Sequence, residues 1–229
     1  GESMYRSYIV KYAGVDAATG YPLYWTKTTP AADATEEEKA AFVPEWYATS
    51  NYDEAYANGR QATDDLLPTV YGGFGTSLDF FGFDFSIQMA YQLGGKILDY
   101  SYQALMHNGD GSSAGQNWHV DMAKAWTPEN TNTDVPRLNR SDKYTNELTD
   151  RWLTSSNYLS VNNITLGYTL PKNWLRSLNI QALRLYVAAD NVALFSTRKG
   201  MDPRQGFRGT SGDTYSALRT ISGGIKLTF

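Results

Sequence analysis

The 229-residue chain contains no cysteine, and this absence excludes disulfide scaffolds as well as zinc and iron–sulfur sites that depend on thiolates. The chain has no excess of basic residues either. Its formal net charge is −4, whereas nucleic-acid-binding domains carry clustered Lys and Arg. We therefore expect no nucleic-acid partner. No apolar run approaches the roughly 18 residues that a membrane-spanning helix needs, and the first residues do not resemble a signal peptide.

Long segments in the second half of the chain alternate between apolar and polar residues. In FDFSIQMAYQL, residues 83–93, the odd-numbered positions are apolar or aromatic and the even-numbered positions are polar or small. This period of two is typical of a strand with one apolar and one polar face. The segment is longer than a soluble strand of about five to six residues, and it matches the roughly 9–11 residues of a tilted strand that crosses a bilayer.

Four further segments show the same alternation, and a change of phase at Asn162-Asn163 predicts a β-bulge in one of them. The Phe81-Gly82 pair predicts a two-residue hairpin that places Phe80 opposite Phe83 on one face. The predicted strands cover residues 71–81, 83–93, 154–170, 183–195 and 218–229.

The connections between these strands alternate between short and long, with long loops at 94–153 and 196–217. This arrangement is typical of outer-membrane barrels, whose turns are short on the periplasmic side and long outside. Several aromatic residues near the short turns are placed to form an interfacial girdle: Phe80, Phe83, Tyr168, Trp174 and Phe229. The predicted fold class is all-β, an antiparallel up-and-down transmembrane β-barrel segment of about five long strands, with long extracellular loops that carry short helices. A soluble two-sheet protein with long strands is the alternative.

Residues 1–70 lack this long alternation and predict a loop-rich extracellular excursion with short strands and helices. Thr35 and Glu38 form a capping-box pattern at the start of a short helix in TEEEKAAF. A second helical segment in DEAYANG ends at Asn58-Gly59. We assign residues 71–229 to the barrel strands and the long loop 94–153.

The long loop holds both histidines of the chain and carries the candidates for contact with a substrate or partner. These candidates are Trp118, His119, Trp126, Tyr100 and Tyr102. The alternative is that these rings pack the loop onto its own barrel. The segment 108–113, NGDGSS, is similar to a calcium loop but lacks the closing glutamate. No catalytic constellation is present, so we expect no enzyme activity, no metal site and no cofactor.

The order of several segments resembles the C-terminal part of SusC/RagA-type TonB-dependent outer-membrane transporters of Bacteroidetes. The resemblance rests on KYAGVDAATGYPLYW, YGGFGTSLDFFGFDFSIQMAYQLGG, WTPENTNTDVPRL, RWLTSSNYLSVNNITLGYTLPKNWLRSLNIQALRLYVAADNVALFS, KGMDPR and SGGIKLTF. Together they cover nearly the whole chain.

The resemblance implies a parent barrel of about 22 strands with an internal plug, located in the cell outer membrane. It also implies a SusD-like surface lipoprotein as partner and uptake of glycans or peptides driven by TonB. The chain shows no plug and no TonB box, and five strands are fewer than the roughly eight of the smallest membrane barrels. We therefore expect a fragment of a larger transporter whose missing N-terminal part contacts the TonB complex.

In this interpretation the apolar face of each strand contacts outer-membrane lipid and the polar face lines the lumen. The lumen-facing candidates are Asp84, Gln88, Arg184, Asp190 and Lys226. The resemblance implies that the terminal Phe229 serves as the barrel assembly signal. A soluble β-rich carbohydrate-binding module is the alternative function. It would bury the apolar side chains of residues 83–93 against a second sheet.

Overall fold

The structure is a computed structural model that describes residues 3–113, 115–176, 180–205, 210–211 and 215–229. Its strands are β1 (Arg6–Ile9), β2 (Tyr12–Val15), β3 (Pro22–Lys27), β4 (Trp46–Thr49), β5 (Gln61–Asp65), β6 (Val70–Phe80), β7 (Phe83–Leu93), β8 (Lys96–Asp99), β9 (Leu153–Ser155), β10 (Tyr158–Thr169), β11 (Ala182–Ser196), β12 (Thr210–Ser211) and β13 (Thr220–Thr228). Its α-helices are α1 (Glu36–Ala41), α2 (Tyr52–Asn58), α3 (Tyr100–Leu105) and α4 (Lys172–Leu175). Short 3₁₀ helices cover Gly111–Ser113, Val120–Lys124, Asp150–Trp152 and Pro203–Gln205.

The chain divides into two compact units. The loop unit comprises Gly1–Leu66 and Leu98–Leu153, and the sheet unit comprises Leu67–Ile97 and Thr154–Phe229. The sequence predicts an excursion over 1–70 and assigns the long loop 94–153 to the barrel part, whereas most of both segments belongs to one unit.

The sheet unit is built on a five-stranded antiparallel sheet with the order β13-β11-β10-β7-β6. The predicted strand 83–93 has the observed bounds of β7, and the other long strands agree with their predictions to within a few residues. Only the predicted strand 154–170 is divided, into β9 and β10. Phe80 pairs with Phe83 as predicted, and the hairpin residues Phe81 and Gly82 both have positive φ. Two successive positive φ values are what a type I′ hairpin requires.

Two bulges interrupt the ladder of the sheet near its middle. The predicted bulge in β10 is confirmed, because β10 has one residue more than β7 between Val161 and Asn163. A second bulge, which the sequence analysis missed, lies in β11, where Asn191 has a φ of 50°. Asn tolerates this left-handed conformation better than most residues. The two asparagine positions therefore let three neighbouring strands stay paired through a local bend.

The strand register places the apolar side chains of all five strands on one face of the sheet. Leu166 lies between Phe85 and Val187, and Val187 lies opposite Gly223. None of the apolar side chains of β7 is buried. No second sheet therefore covers this face within the described residues, as the soluble alternative would require.

The loop unit has a core that is rich in tyrosine. Tyr24 and Tyr52 are buried beside Val10 and Ala55, and Tyr12 packs against them. The hydroxyl of Tyr52 donates to the Leu148 carbonyl (2.8 Å), and that of Tyr24 donates to the Tyr144 carbonyl. These contacts join the first 66 residues to the long connection. Burial raises the pKa of Tyr12 to about 12 and that of Tyr52 to about 12.

A second core of the loop unit surrounds Trp152, which is 1% exposed. Leu98, Met106 and Val135 pack with it, and its indole Nε1 donates to the Glu147 carbonyl at 2.7 Å. A buried tryptophan needs such a partner for its N–H group. Trp152 therefore packs the C-terminal end of the long connection into the core of the loop unit.

The helices follow their sequence signals. Thr35 and Glu38 form both hydrogen bonds of the capping box at the start of α1, and Gly59 caps α2. In the long connection, a 3₁₀ helix covers Val120–Lys124, and the His119 side chain caps its start. None of the described helices is long and apolar enough to cross a membrane.

Candidate functional site

The polar face of the sheet carries all five predicted lumen-facing residues. Asp84 lies opposite Gly167, and Gln88 lies opposite Asn163. The remaining three, Arg184, Asp190 and Lys226, belong to the same face by the register of β11 with β10 and β13. The structure therefore brings these residues to one surface, although they come from three separate strands.

Asp84 and Arg184 form a bidentate ion pair that reaches across β10. The Nε atom of Arg184 donates to Asp84 Oδ1 at 2.8 Å, and its Nη2 atom donates to Oδ2. Gly167 of the intervening strand leaves the necessary space, because a Cβ atom there would lie 2.4 Å from Asp84 Oδ1. Bidentate pairs of this kind hold both groups in a defined orientation. The pair fixes the charge pattern of the polar face near the short turns.

A second polar cluster lies near the two bulges. Asn163 Nδ2 donates to Asp190 Oδ1 at 2.7 Å, and the Thr165 hydroxyl donates to Asn163 Oδ1 at 3.0 Å. Gln88 and Lys226 are exposed. Beside Gln88, the face has a depression of about 750 Å³ with Gly73, Gly75 and Ala90 in its lining. Small residues therefore leave part of this surface open.

Three of the five candidate aromatic residues of the long loop support the loop itself. The Tyr102 hydroxyl donates to Asp121 Oδ2 at 2.9 Å, and the Tyr102 ring meets His119 edge to face at 4.7 Å. His119 Nδ1 accepts from the backbone N–H of Asp121 at 3.1 Å. The hydrogen bond from Lys124 holds the pKa of the Asp121 carboxyl below its usual value. Trp126 packs on Gly20 and donates to the Ala17 carbonyl at 3.1 Å.

The other two candidates, Trp118 and Tyr100, keep exposed rings. Trp118 is held at its edge, because its Nε1 donates to the His107 carbonyl at 2.9 Å. His107, which is buried behind Trp118, was missed by the sequence analysis because no local pattern marks it. Gly167 was also missed, although a glycine on the polar face of a long strand is a signal for a close approach of side chains.

No group of three His, Asp or Glu side chains in the described ranges could hold a metal ion. In the calcium-like segment, Asp110 Oδ1 accepts from the Ser112 hydroxyl at 2.8 Å and from the Ser113 N–H at 3.0 Å. The segment is therefore closed by its own hydrogen bonds.

No family model matches the chain. Curated proteins of Formosa agariphila are similar to it: TonB-dependent receptor P3 is 32% identical over 74% of this chain and 17% of its own length. TonB-dependent receptor P26 is 23% identical over 81% of the chain and 20% of its own length, and TonB-dependent receptor P39 is 30% identical over 68% and 15%. The chain thus spans about one fifth or less of the length of these relatives.

Solved structures share the fold over nearly the whole chain. The RagAB peptide importer in its open-open state aligns with a TM-score of 0.77 and 26% identity, covering 98% of this chain and 22% of the solved chain. A further structure of the RagAB peptide transporter aligns with a TM-score of 0.76 and 24% identity, covering 98% and 23%. The five-stranded sheet is a segment of such a barrel and does not close by itself. The chain therefore belongs to the TonB-dependent receptors of the SusC/RagA family, of which it is a partial sequence.

Proposed function

We propose that the chain forms part of the wall and the external loops of a TonB-dependent outer-membrane importer. The observation that carries this proposal is the contrast between the two faces of the five-stranded sheet. Apolar side chains are exposed on one face, and an ordered set of polar and charged side chains covers the other. This contrast suits a wall with lipid on one side and an aqueous lumen on the other.

The completed barrel would contain further strands from the rest of the protein. A sheet that ends in unpaired edges is not stable in lipid, because its backbone groups lack partners. In this arrangement β6 and β13 would pair with strands outside this chain. Asp84, Gln88, Arg184, Asp190 and Lys226 would line the lumen or contact a plug.

The loop unit would lie on the extracellular side and contact a SusD-like surface lipoprotein or the substrate. The structures with a similar fold are those of the RagAB peptide transporter and peptide importer, which supports peptides as one substrate class. Trp118 and Tyr100 are the candidate rings with exposed surface for such contacts. The substrate class comprises peptides or oligosaccharides.

The terminal Phe229 would act as the barrel assembly signal of the intact receptor. We expect Phe229→Asp to lower the amount of receptor in the outer membrane, whereas Phe229→Tyr retains it. Quantitative immunoblots of membrane fractions would measure both, and an unchanged level of the Asp variant would contradict a sorting role.

Energised uptake by cells that carry the intact receptor tests the proposed function. Labelled peptide and oligosaccharide pools would be supplied with and without an uncoupler of the proton-motive force. We expect accumulation of one pool that the uncoupler abolishes, and co-purification of a surface lipoprotein. Binding without any uncoupler-sensitive accumulation would contradict the importer.

A further inference from the structure

The loop unit contains a three-stranded antiparallel sheet with the order β2-β3-β4, and helix α2 covers one of its faces. On that face, Tyr24 is buried, and its ring meets the Tyr52 ring of α2 edge to face at 5.3 Å. Thr26 is buried as well, and its hydroxyl donates to the Glu54 carbonyl of α2 at 3.5 Å. Successive side chains of a strand point to opposite faces. Trp25, which lies between Tyr24 and Thr26, therefore points away from α2.

The face opposite α2 presents two exposed tryptophan rings. Trp25 is 41% exposed and Trp46 is 46% exposed. Trp25 pairs with Ala48 across the β3-β4 ladder, and Lys27 pairs with Trp46. Directly paired residues share a face, and diagonal neighbours on adjacent strands lie within reach of large rings. The two tryptophans are therefore neighbours on one surface, with Lys27 beside Trp46.

Neither tryptophan side chain makes a hydrogen bond or a ring contact with any residue that the structure describes. Apolar residues that are exposed singly are common on protein surfaces, whereas adjacent exposed rings mark interaction sites. Tryptophan is also among the residues that contribute most to binding at protein interfaces. The face with Trp25 and Trp46 thus has the character of a docking surface.

The segment that connects β3 to β4, residues 28–45, is strongly acidic. It has five carboxylates and one lysine, which gives a formal charge of −4. The whole chain has the same formal charge of −4, so the acidic and basic residues outside this segment balance. The net negative charge of the chain is therefore confined to this acidic connection, whose two ends continue directly into Lys27 and Trp46.

Most of the charge on the acidic connection is not neutralised within the described parts of the chain. Lys39 pairs with Glu36 at 2.8 Å, and Glu38 belongs to the capping box of α1. No residue of α1 is buried. Three further carboxylates are exposed and form no ion pair or hydrogen bond with a described residue: Asp33, Glu37 and Glu45. The acidic connection is therefore open to opposite charges from another molecule.

We propose that the face with Trp25 and Trp46 and the acidic connection together dock a partner protein that presents a cluster of lysine and arginine side chains. Such cations stack on tryptophan faces, and opposite charges across an interface steer association and select the partner. A second copy of this chain in a two-fold contact would bring the same negative charge. Small ligands prefer concave pockets, whereas this face is the surface of an open sheet.

Docking at this face does not require transport, so the inference goes beyond the proposed function. A photoreactive benzoylphenylalanine at position 46, or separately at position 25, of the intact receptor in its own cells tests the docking. Both positions should cross-link to the same protein, and mass spectrometry should place the adducts in a segment rich in lysine and arginine. Trp174 is the matched control, because it is an exposed tryptophan of the sheet unit and should give no adduct with that protein.

The affinity of the intact receptor in detergent for the purified cross-linked protein tests the chemistry of the contact. Glu37→Lys should weaken binding by about tenfold at low salt, because it places like charges together. Trp46→Ala should weaken it by about thirtyfold, as loss of an interface anchor does. Added salt should weaken binding of the unaltered receptor, because it screens the exposed charges. Glu129→Lys, which reverses an exposed charge outside the acidic connection, is the control and should change little.

Several results would overturn the inference. They are the absence of adducts at positions 25 and 46, adducts only with lipid or a second receptor copy, and adducts in a neutral or acidic segment of the partner. Equal affinities of the unaltered receptor and the Glu37 and Trp46 variants, or binding that salt does not affect, would also do so. A receptor that imports substrate but docks no protein here rejects this inference alone. A basic partner docked here on a receptor without uncoupler-sensitive uptake rejects the proposed function alone.

Discussion

The loop unit buries its large aromatic side chains in cores of its own, whereas the sheet unit leaves the apolar side chains of one face exposed. In the loop unit, Tyr24 and Trp152 are each 1% exposed, and their polar atoms bond to backbone carbonyls of distant segments. In the sheet unit, Val187 is 55% exposed and Ile225 is 68% exposed, although both lie on the apolar face. The first unit forms its own core. The second is ordered by the hydrogen bonds between its strands, and the described residues do not cover its apolar face.

This difference indicates that the two units suit different surroundings. The loop unit suits water, whereas one face of the sheet unit suits lipid. The loop unit uses tyrosine and tryptophan because their rings fill a core while their polar ends hold a long connection in place. The sheet unit uses alternation because the two faces of a barrel wall meet different surroundings. Substitutions that overpack a position, remove a buried side chain or introduce a charge should therefore affect stability differently in the two units.

Trp152→Ala is expected to have the largest effect. Removing a buried tryptophan costs about 3–5 kcal/mol, and the Glu147 carbonyl would also lose its donor. The free energy of unfolding of the loop unit should fall by that amount. Limited proteolysis of the intact receptor in urea would measure it. Trp174→Ala is the control, since Trp174 is largely exposed on α4. Equal sensitivity of both variants would contradict a packed core around Trp152.

Val187→Arg should have the next largest effect. A cationic residue on the lipid face of a membrane barrel costs about 2–4 kcal/mol near the bilayer centre. We expect less folded receptor in liposomes, measured by the heat-dependent gel shift of intact barrels. Ser222→Arg, on the polar face of the neighbouring strand, should fold normally. If the Ser222 variant fails and the Val187 variant folds, the assignment of the faces is reversed.

Gly75→Ala should destabilise the sheet by about 1–3 kcal/mol through overpacking. A Cβ atom on Gly75 would lie 2.6 Å from the Ile87 carbonyl oxygen, which belongs to the backbone and cannot turn away. Gly223→Ala is the matched control, because its Cβ would meet only the Tyr186 carbonyl oxygen at 3.6 Å. Urea unfolding of the refolded receptor would compare them. A more damaging change at Gly223 would show that the strands are paired differently.

Alkaline pH should produce the smallest effect, and it should be confined to the loop unit. Tyr12 and Tyr52 have their pKa raised from 10.0 to about 12, chiefly by burial. Their contribution to stability is complete below pH 10 and is lost as the pH rises towards about 12. Tyrosinate absorbance and proteolysis should therefore report opening of the loop unit in this range while the barrel gel shift persists. Simultaneous loss of both signals would contradict independent responses of the two units.

Local patterns in the sequence predict the elements that depend on neighbouring residues. The bounds of β7, the capping box at Thr35 and the bulge at Asn162 each follow from a few adjacent positions. Asn191 was missed because Ala189 and Ala193, on either side of it, lie on the same face of the sheet, so the alternation shows no change of phase there. It could have been suspected, since Asp190 and Asn191 are residues that tolerate unusual backbone angles.

Contacts between distant segments could not be predicted in the same way. Asp84 and Arg184 are 100 residues apart, and Tyr52 bonds to a carbonyl 96 residues away. The pairing of such groups depends on the register of strands and on the folding of the long connection. For the same reason, the sequence identified Trp118 as a candidate but did not predict its hydrogen bond to the His107 carbonyl.

Spin labels along β7 of the intact receptor in liposomes would show whether the sheet separates lipid from an aqueous lumen. Single cysteines at Phe85, Ser86, Ile87 and Gln88 can be labelled, since this chain contributes no cysteine of its own. We expect labels at 85 and 87 to collide mainly with dissolved oxygen, and labels at 86 and 88 to collide mainly with a water-soluble nickel complex. Equal accessibility of neighbouring positions, or protection of all four from both reagents, would contradict it.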